Sequence, residues 1–276
     1  MKIIDYTITS RNNETVKWAA SLSQKKEREL NRAFIAEGEK LTLEALDAGL
    51  PVSHIFVLET KKEYLLNKIS AHFGMEKYDQ TVVITLAESV FSKISTESAP
   101  QGIISVIKYL DFFRDVDIIY KEEFLKFPSE RAIFLSSVRD PGNLGAVIRS
   151  AAAFGIDHII LTADSADLYN PKTLRSAMGS LFRVKTTVVH NAIETVGEII
   201  ASGRRVLAAE LRDGARSVFD ADLGASDVII IGNEGHGIDP LLSKASSGSV
   251  YIPISRKTES LNAAVAAAIF MWEISK

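Results

Sequence analysis

The stretch 132–162, AIFLSSVRDPGNLGAVIRSAAAFGIDHIILT, decides the fold. It opens with an apolar strand (AIFLSSV), passes through a polar turn at Arg139–Asn143, continues as an apolar helix to Gly155 and ends in a second apolar strand (HIILT). Continuous apolar strands alternating with helices argue for a parallel sheet covered on both faces. One residue breaks the pattern. The helical neighbours of Arg149 three and four positions away are Gly145, Ala146, Ala152 and Ala153, so no carboxylate is placed to pair with it.

The alternation continues outward to the C-terminus. A helix starts at Asn170-Pro171, followed by KTTVV, a helix from Ala192, RVLAAEL, DVIIIG, a short helix at Pro240, SVYIPI and a last helix from about Leu261. Residues 131–276 therefore read as one α/β domain. Upstream, from residue 14 to about 109, the order is helix, helix, strand, helix, strand, helix, strand, with strands at His54–Leu58, Thr81–Leu86 and Gly102–Ile107. This gives a small α/β domain over residues 1–109. Residues 110–130 mix aromatic and charged side chains without periodicity and read as a linker.

Composition bounds the function. The 276 residues are 46% hydrophobic and 24% charged, as in a soluble globular protein, and no apolar run approaches the roughly 20 residues that span a bilayer. The start, MKIIDYTITSRNN, lacks the basic-then-apolar order of a signal peptide, which predicts a cytoplasmic protein with no membrane partner. The absence of cysteine excludes disulfides and thiolate nucleophiles, and the five histidines are scattered without ligand spacing, so no metal is expected. A net charge of -3 argues against coating nucleic acid through bulk charge. Any RNA contact must be a local patch, and KKERELNR at 25–32 with Arg11 upstream is the candidate: Arg11, Lys25, Lys26, Arg28 and Arg32. The same string also fits a solvated helix face.

Ligands of parallel sheets bind outside the carboxyl ends of the strands. That rule selects the loops at 139–145, 163–171, 232–239 and 253–260, where Gly, Pro, Asn and Ser gather. IGNEGHGI at 231–238 has three glycines in six residues around Glu234, but neither a GxGxxG order nor a GK[ST] ending, so a dinucleotide or phosphate loop does not fit. In the last loop Ser260 is placed to cap an alanine-rich helix, with Asn262 in its first turn. No serine–histidine–carboxylate order or paired-carboxylate spacing stands out.

Three of these segments, in this order, resemble the motifs of the SpoU/TrmH family (SPOUT superfamily) of RNA 2′-O-ribose methyltransferases: NLGAVIRSAAAFG at 143–155, IGNEGHGI at 231–238 and IPISRKTESLNAAVAAAIF at 252–270. YNPKTLRSAMGSLF at 169–182 is similar to the family's connecting segment. FIAEGEKLTLEAL at 34–46 and PQGIISVI at 100–107 resemble, more loosely, the RNA-binding domain that often precedes the catalytic one. The departures, IPI for IPM, SLNAAVA for SLNVSVA and RSAMG for RASMG, touch packing more than chemistry.

The resemblance implies a C-terminal deep trefoil knot, S-adenosylmethionine (AdoMet) as cofactor, a homodimer through the knotted domain, and RNA as substrate, ribosomal RNA before tRNA. It implies a polar site of Arg149, Asn143, Glu234, Ser260 and Asn262, with Gly232, Asn233, Gly235, Ile252 and Leu261 toward the cofactor. The family's proposed base is the arginine, yet a guanidinium keeps its proton at neutral pH and fits a charged donor holding a phosphate or developing oxyanion better. Two rival readings are a nucleotide-dependent enzyme on a doubly wound sheet, disfavoured by the missing phosphate loop, and a non-catalytic RNA-binding relative.

Overall fold

The computed structural model describes residues 1–73, 78–110, 114–116, 130–255 and 257–276. They form two compact units, Met1–Leu110 with Tyr169–Phe182, and Asp111–Leu168 with Arg183–Lys276.

The first unit runs β1 (Lys2–Ile8), α1 (Glu14–Ser21), α2 (Lys25–Asn31), β2 (Ala33–Glu37), α3 (Glu39–Asp47), β3 (Val52–Leu58), α4 (Lys62–Phe73), β4 (Val82–Leu86), α5 (Glu88–Ile94) and β5 (Ile103–Lys108). Its sheet has the order β1-β4-β3-β5-β2, with β1 and β3 parallel to β4, and β5 antiparallel to both β3 and β2. The three expected strands are present, and two more flank them. KIIDYTI mixes exposed and half-buried positions, as an edge strand can, so it carries no clean alternation. AFIAE is buried along its whole length, including Glu37, because residues beside it satisfy the carboxylate: Thr96 N–H donates at 2.7 Å and Thr96 Oγ1 at 3.0 Å. A buried charge in a short run hid this strand from a pattern search.

Tyr169–Phe182, expected with the C-terminal domain, packs within this unit. Tyr169 stacks on Phe34 at 4.5 Å and on Tyr109 at 4.1 Å, and Arg175 of α7 (Pro171–Ala177) pairs with Glu97 at 2.8 Å. Gly179 follows α7 in the left-handed region (φ 78), which favours glycine.

The second unit holds an eight-stranded parallel sheet in the order β11-β13-β10-β12-β7-β8-β9-β6. Its strands are β6 (Arg114–Val116), β7 (Ala132–Leu135), β8 (His158–Thr162), β9 (Lys185–Val189), β10 (Val206–Ala209), β11 (Arg216–Ser217), β12 (Val228–Ile231) and β13 (Gly248–Tyr251). Its helices are α6 (Pro141–Phe154), α8 (Ala192–Ala201), α9 (Pro240–Ala245) and α10 (Ala263–Ser275). Most of the stretch read as a linker lies outside the described residues, but Arg114–Val116 forms the edge strand paired with β9. β7 and β12 are buried at every position, and Phe134, Ile160, Val228 and Ile230 share one core with Val196 and Ile199 of α8.

Asp140 starts α6 by accepting from Asn143 N at 2.8 Å, with Pro141 in the first turn, where its missing N–H costs nothing, and Gly155 (φ 66) stops it. The buried face is Leu144, Gly145, Val147, Ile148 and Ala151, which leaves Arg149 in solvent. α10 packs against α6, with Trp272 edge-on to Phe154 at 5.7 Å.

β7 and β12 are neighbours, yet the chain leaves β7 toward β8 on one side and leaves β12 toward β13 on the other. Connections that diverge from adjacent parallel strands open a crevice at the carboxyl edge. The loops carrying Asn143 and Glu234 leave these two strands.

His158 begins β8 at 5% exposure, with Nε2 2.8 Å from Thr187 Oγ1. Burial lowers its pKa below 6.5 despite the nearby Glu130 carboxylate. A neutral form favoured on folding contributes stability above the unfolded-state pKa and loses it as pH falls through 6.5 toward the folded value. Urea unfolding of the chain between pH 7.5 and 5 is expected to show this loss, and His158→Gln to flatten it; an equally steep loss in the variant refutes the assignment.

Candidate active site

The site is built where four loops meet at the carboxyl edge of the parallel sheet. The loop after β12 is a tight hairpin: Asn233 N–H donates to Gly237 O at 2.9 Å and Gly237 N–H returns to Asn233 O at 3.0 Å. Two of its glycines are forced. A Cβ on Gly232 would lie 2.4 Å from the carbonyl carbon of Gly237, and Gly237 itself has φ 69. Around Gly235 there is room, since its Cβ would meet only Asn233 Oδ1 at 3.6 Å.

Asn233 braces the hairpin internally. Its Oδ1 accepts from Gly235 N at 2.9 Å and His236 N at 3.1 Å, and its Nδ2 donates to Ser137 O at 2.7 Å, tying this loop to the exit of β7. Glu234 is thereby raised at the hairpin tip, exposed, where its Oε1 accepts from Asn143 Nδ2 at 2.7 Å. Asn143 Oδ1 in turn accepts from Asn262 Nδ2 at 2.9 Å, and Asn262 Oδ1 accepts from Ala264 N at 2.9 Å and Val265 N at 3.3 Å.

This chain of side chains has a fixed polarity. An ionised carboxylate only accepts, so Asn143 must turn its amide nitrogen toward Glu234 and its oxygen toward Asn262. Asn262 then presents nitrogen to Asn143 and oxygen to the free N–H groups of its helix, as a cap requires. Asn262 is therefore the N-cap of α10 and not a first-turn residue. Ser260, expected as the cap, lies exposed in the preceding loop and makes no hydrogen bond among the described residues.

Asn143, Glu234, Asn262 and Asn233 are thus brought together, with Gly232 and Gly235 in the same hairpin. Ile252 and Leu261 are partly buried in the loop between β13 and α10. Arg149 is not part of this cluster. Six residues beyond Asn143 at 100° per residue, it points about 120° away around α6 and roughly 9 Å along it. Among the described residues its guanidinium has no hydrogen-bond or ion-pair partner.

Of the five basic residues proposed for RNA, Arg28 is corrected. It is 3% exposed, and its Nη1 donates to Leu22 O at 2.9 Å and Ser23 O at 2.7 Å, so it closes the end of α1 and faces no ligand. A string of alternating charges cannot reveal which member turns inward. Lys25 sits 3.7 Å from Glu29, and Arg32 lies over the Tyr109 ring at 4.6 Å, while Arg11 and Lys26 are exposed. Ser137, Thr162 and Asp164, none of them singled out from the sequence, join the β7 and β8 loops beside the site.

A parallel sheet with a polar site at its switch point, floored by a glycine hairpin and walled by a capped alanine helix, defines a ligand-binding α/β enzyme class. Residues 130–272 match the model of the SpoU rRNA methylase family, and residues 13–105 match an MRM3-like substrate-binding domain. The chain belongs to the SpoU rRNA methylase family. It is 34% identical over 97% of its length to a Bacillus subtilis protein named 23S rRNA (guanosine(2553)-2'-O)-methyltransferase RlmP, 98% of which is covered. It is 29% identical over 96% of its length to a Streptomyces viridochromogenes 23S rRNA (uridine(2479)-2'-O)-methyltransferase, covering 90% of it. Among solved structures, an AdoMet-bound rRNA methyltransferase from Sinorhizobium meliloti superposes with a TM-score of 0.80 at 29% identity, over 98% of this chain and 97% of that one.

Two substitutions test the architecture. Gly232→Ala forces a methyl group into backbone and is expected to cost about 1–3 kcal/mol in urea unfolding. Asn262→Ala removes the cap and is expected to cost about 1 kcal/mol, whereas Asn262→Asp keeps the cap and loses only the donor to Asn143. Equal losses in Ala and Asp would contradict the capping role.

Proposed function

We propose that this protein transfers a methyl group from AdoMet to a ribose 2′-hydroxyl of ribosomal RNA. The observation that carries the reading is the Asn262–Asn143–Glu234 chain, in which one residue from each of the three family motifs is bonded to the next. The two relatives named as 23S rRNA 2′-O-methyltransferases favour ribosomal RNA over tRNA. The intact chain also disfavours a binding-only protein, which has no need to keep all three partners.

The residues fit AdoMet. Gly235 leaves open space above the hairpin, Glu234 offers a carboxylate to a cationic group, and Ile252 and Leu261 supply apolar surface on the facing loop. When bound, the cofactor supplies an electrophilic methyl group on a sulfonium. With Asn143, Asn233, Gly232 and Gly235, these residues would hold it against the sheet edge. In the same family reading the C-terminal segment is knotted and the protein is a cytoplasmic homodimer. α10 is apolar almost all round, as buried helices are, yet Val265 is 49% and Trp272 52% exposed, which supports a second subunit covering it.

The chemistry needs help at the nucleophile. If a ribose hydroxyl has a pKa about 5 units above 7, full deprotonation costs roughly 7 kcal/mol. Arg149, which points away from the Asn143 cluster, lowers that cost as a planar cation that holds the RNA phosphate flanking the ribose. Its lack of a carboxylate partner leaves that capacity unspent. Ser260, exposed nearby in sequence, completes the polar set, and the exposed Arg11, Lys25, Lys26 and Arg32 of the first unit serve RNA binding.

Transfer of tritiated methyl from AdoMet to RNA of cells lacking the gene, with the modified site mapped, tests the reading; labelling of tRNA alone would replace the substrate. Arg149→Ala and Arg149→Lys are expected to fold and bind AdoMet by calorimetry but lose most methyl transfer. Near-normal turnover in both would remove the role given to Arg149.

A further inference from the structure

At the exit of β7, Ser137 is a non-glycine residue in the left-handed region (φ 55). Such strain persists only where the surroundings over-determine it, and it concentrates at functional positions. Every polar group of Ser137 is engaged. Its N–H donates to Thr162 Oγ1 at 2.8 Å, its Oγ to Asp164 Oδ2 at 2.6 Å, and its carbonyl accepts from Asn233 Nδ2 at 2.7 Å. The next carbonyl, Val138, accepts from Ala166 N at 2.9 Å. Three loops of the site are locked at this corner.

The corner aims one side chain. Arg139 is 66% exposed, yet its Nη2 donates to Asp164 Oδ2 at 3.1 Å, and Asp164 Oδ1 is held by Thr162 Oγ1 at 2.6 Å. Burial pushes the Asp164 carboxyl up, but hydrogen bonds from Ser137, Thr162 and Arg139 outweigh it and hold the group below its ordinary 3.8. Asp164 is therefore ionised throughout the neutral range and available to pair with Arg139. A guanidinium has five N–H donors in a planar fork, and this anchor uses one edge, leaving the rest for a second anion. Arg139 immediately precedes Asp140, the cap of α6, and lies four residues before Asn143. The chain carries a net charge of -3, so a pre-aimed local cation is what an RNA strand needs here.

We propose that Arg139 binds an RNA backbone phosphate beside the target ribose, and that Ser137 and Asp164 are its positioning residues. This rests on the RNA-methylating reading above. A phosphate contact acts on every sequence alike and contributes to the salt dependence of binding.

The test uses the full-length protein, an unmodified 23S rRNA transcript and AdoMet. R139Q is expected to weaken RNA binding about tenfold and to reduce the slope of log affinity against log salt by about 0.7–1, with KM for RNA raised, kcat nearly kept and AdoMet affinity unchanged. R139K is expected to restore the slope but not the full affinity, since an ammonium lacks the fork. S137G relieves the strained φ and deletes the Oγ. It is expected to fold at least as stably as the wild type while losing RNA affinity, an outcome a merely structural serine would not produce. Wild-type RNA affinity and slope in R139Q, or a loss confined to AdoMet, overturns the proposal, and wild-type RNA affinity in S137G overturns the positioning role. A wild-type protein that transfers no methyl to any RNA refutes the underlying function as well, whereas active wild type with unaffected R139Q refutes this proposal alone.

Discussion

The site depends on a single polarised chain of hydrogen bonds, from the N-terminus of α10 through Asn262 and Asn143 to Glu234. Because a carboxylate accepts and cannot donate, its position at one end dictates the orientation of both amides, and the free N–H groups of a helix terminate the other end. These bonds join three segments far apart in sequence, with Glu234 also 3.5 Å from Asn233 Nδ2. Such preorganisation matters where charge develops during a reaction, since dipoles already aligned need no rearrangement at the moment of transfer.

The sheet makes the chain of bonds possible. β7 and β12 lie side by side with connections leaving in opposite directions, so their loops rise at one edge without crossing. The glycines of the hairpin serve this closeness in different ways. Gly232 lets the returning strand of the hairpin touch its own backbone, Gly237 supplies a left-handed turn, and Gly235 has room for a Cβ, which among the described residues would meet only Asn233 Oδ1 at 3.6 Å. Asn233 then ties the hairpin to Ser137, and Ser137 to Asp164, which joins the loops after β12, β7 and β8.

Arginines in this protein show how little residue type says about role. Arg28 stands in the most basic string of the chain, but its guanidinium is buried against the carbonyls of Leu22 and Ser23. Arg149 stands among alanines, the surroundings of a buried helix face, but projects into solvent without a partner among the described residues. Arg139 is exposed and held still. Charge alone is common to the three; the carbonyl, carboxylate or solvent that meets each guanidinium separates them.

Sequence by itself determined the strand–helix alternation of the parallel sheet, because uninterrupted apolar strands need both faces covered, and the helix start at Asn170-Pro171, because that signal is local. It also located the loops at the carboxyl edge and, by resemblance, most of the polar residues in them. Only the tertiary structure decided that Asn262 caps α10 in place of Ser260, that Arg28 turns inward, that β2 is a strand despite Glu37, and that Tyr169–Phe182 packs with the first unit. Asn262, Glu37 and Tyr169 each turn on a partner distant in the chain, Asn143, Thr96 and Phe34, whereas Arg28 turns on the nearby carbonyls of Leu22 and Ser23. Propensity and periodicity describe a residue's neighbours along the chain, whereas the choice between a cap, a ligand and a buried anchor is made by the group that folding brings opposite it.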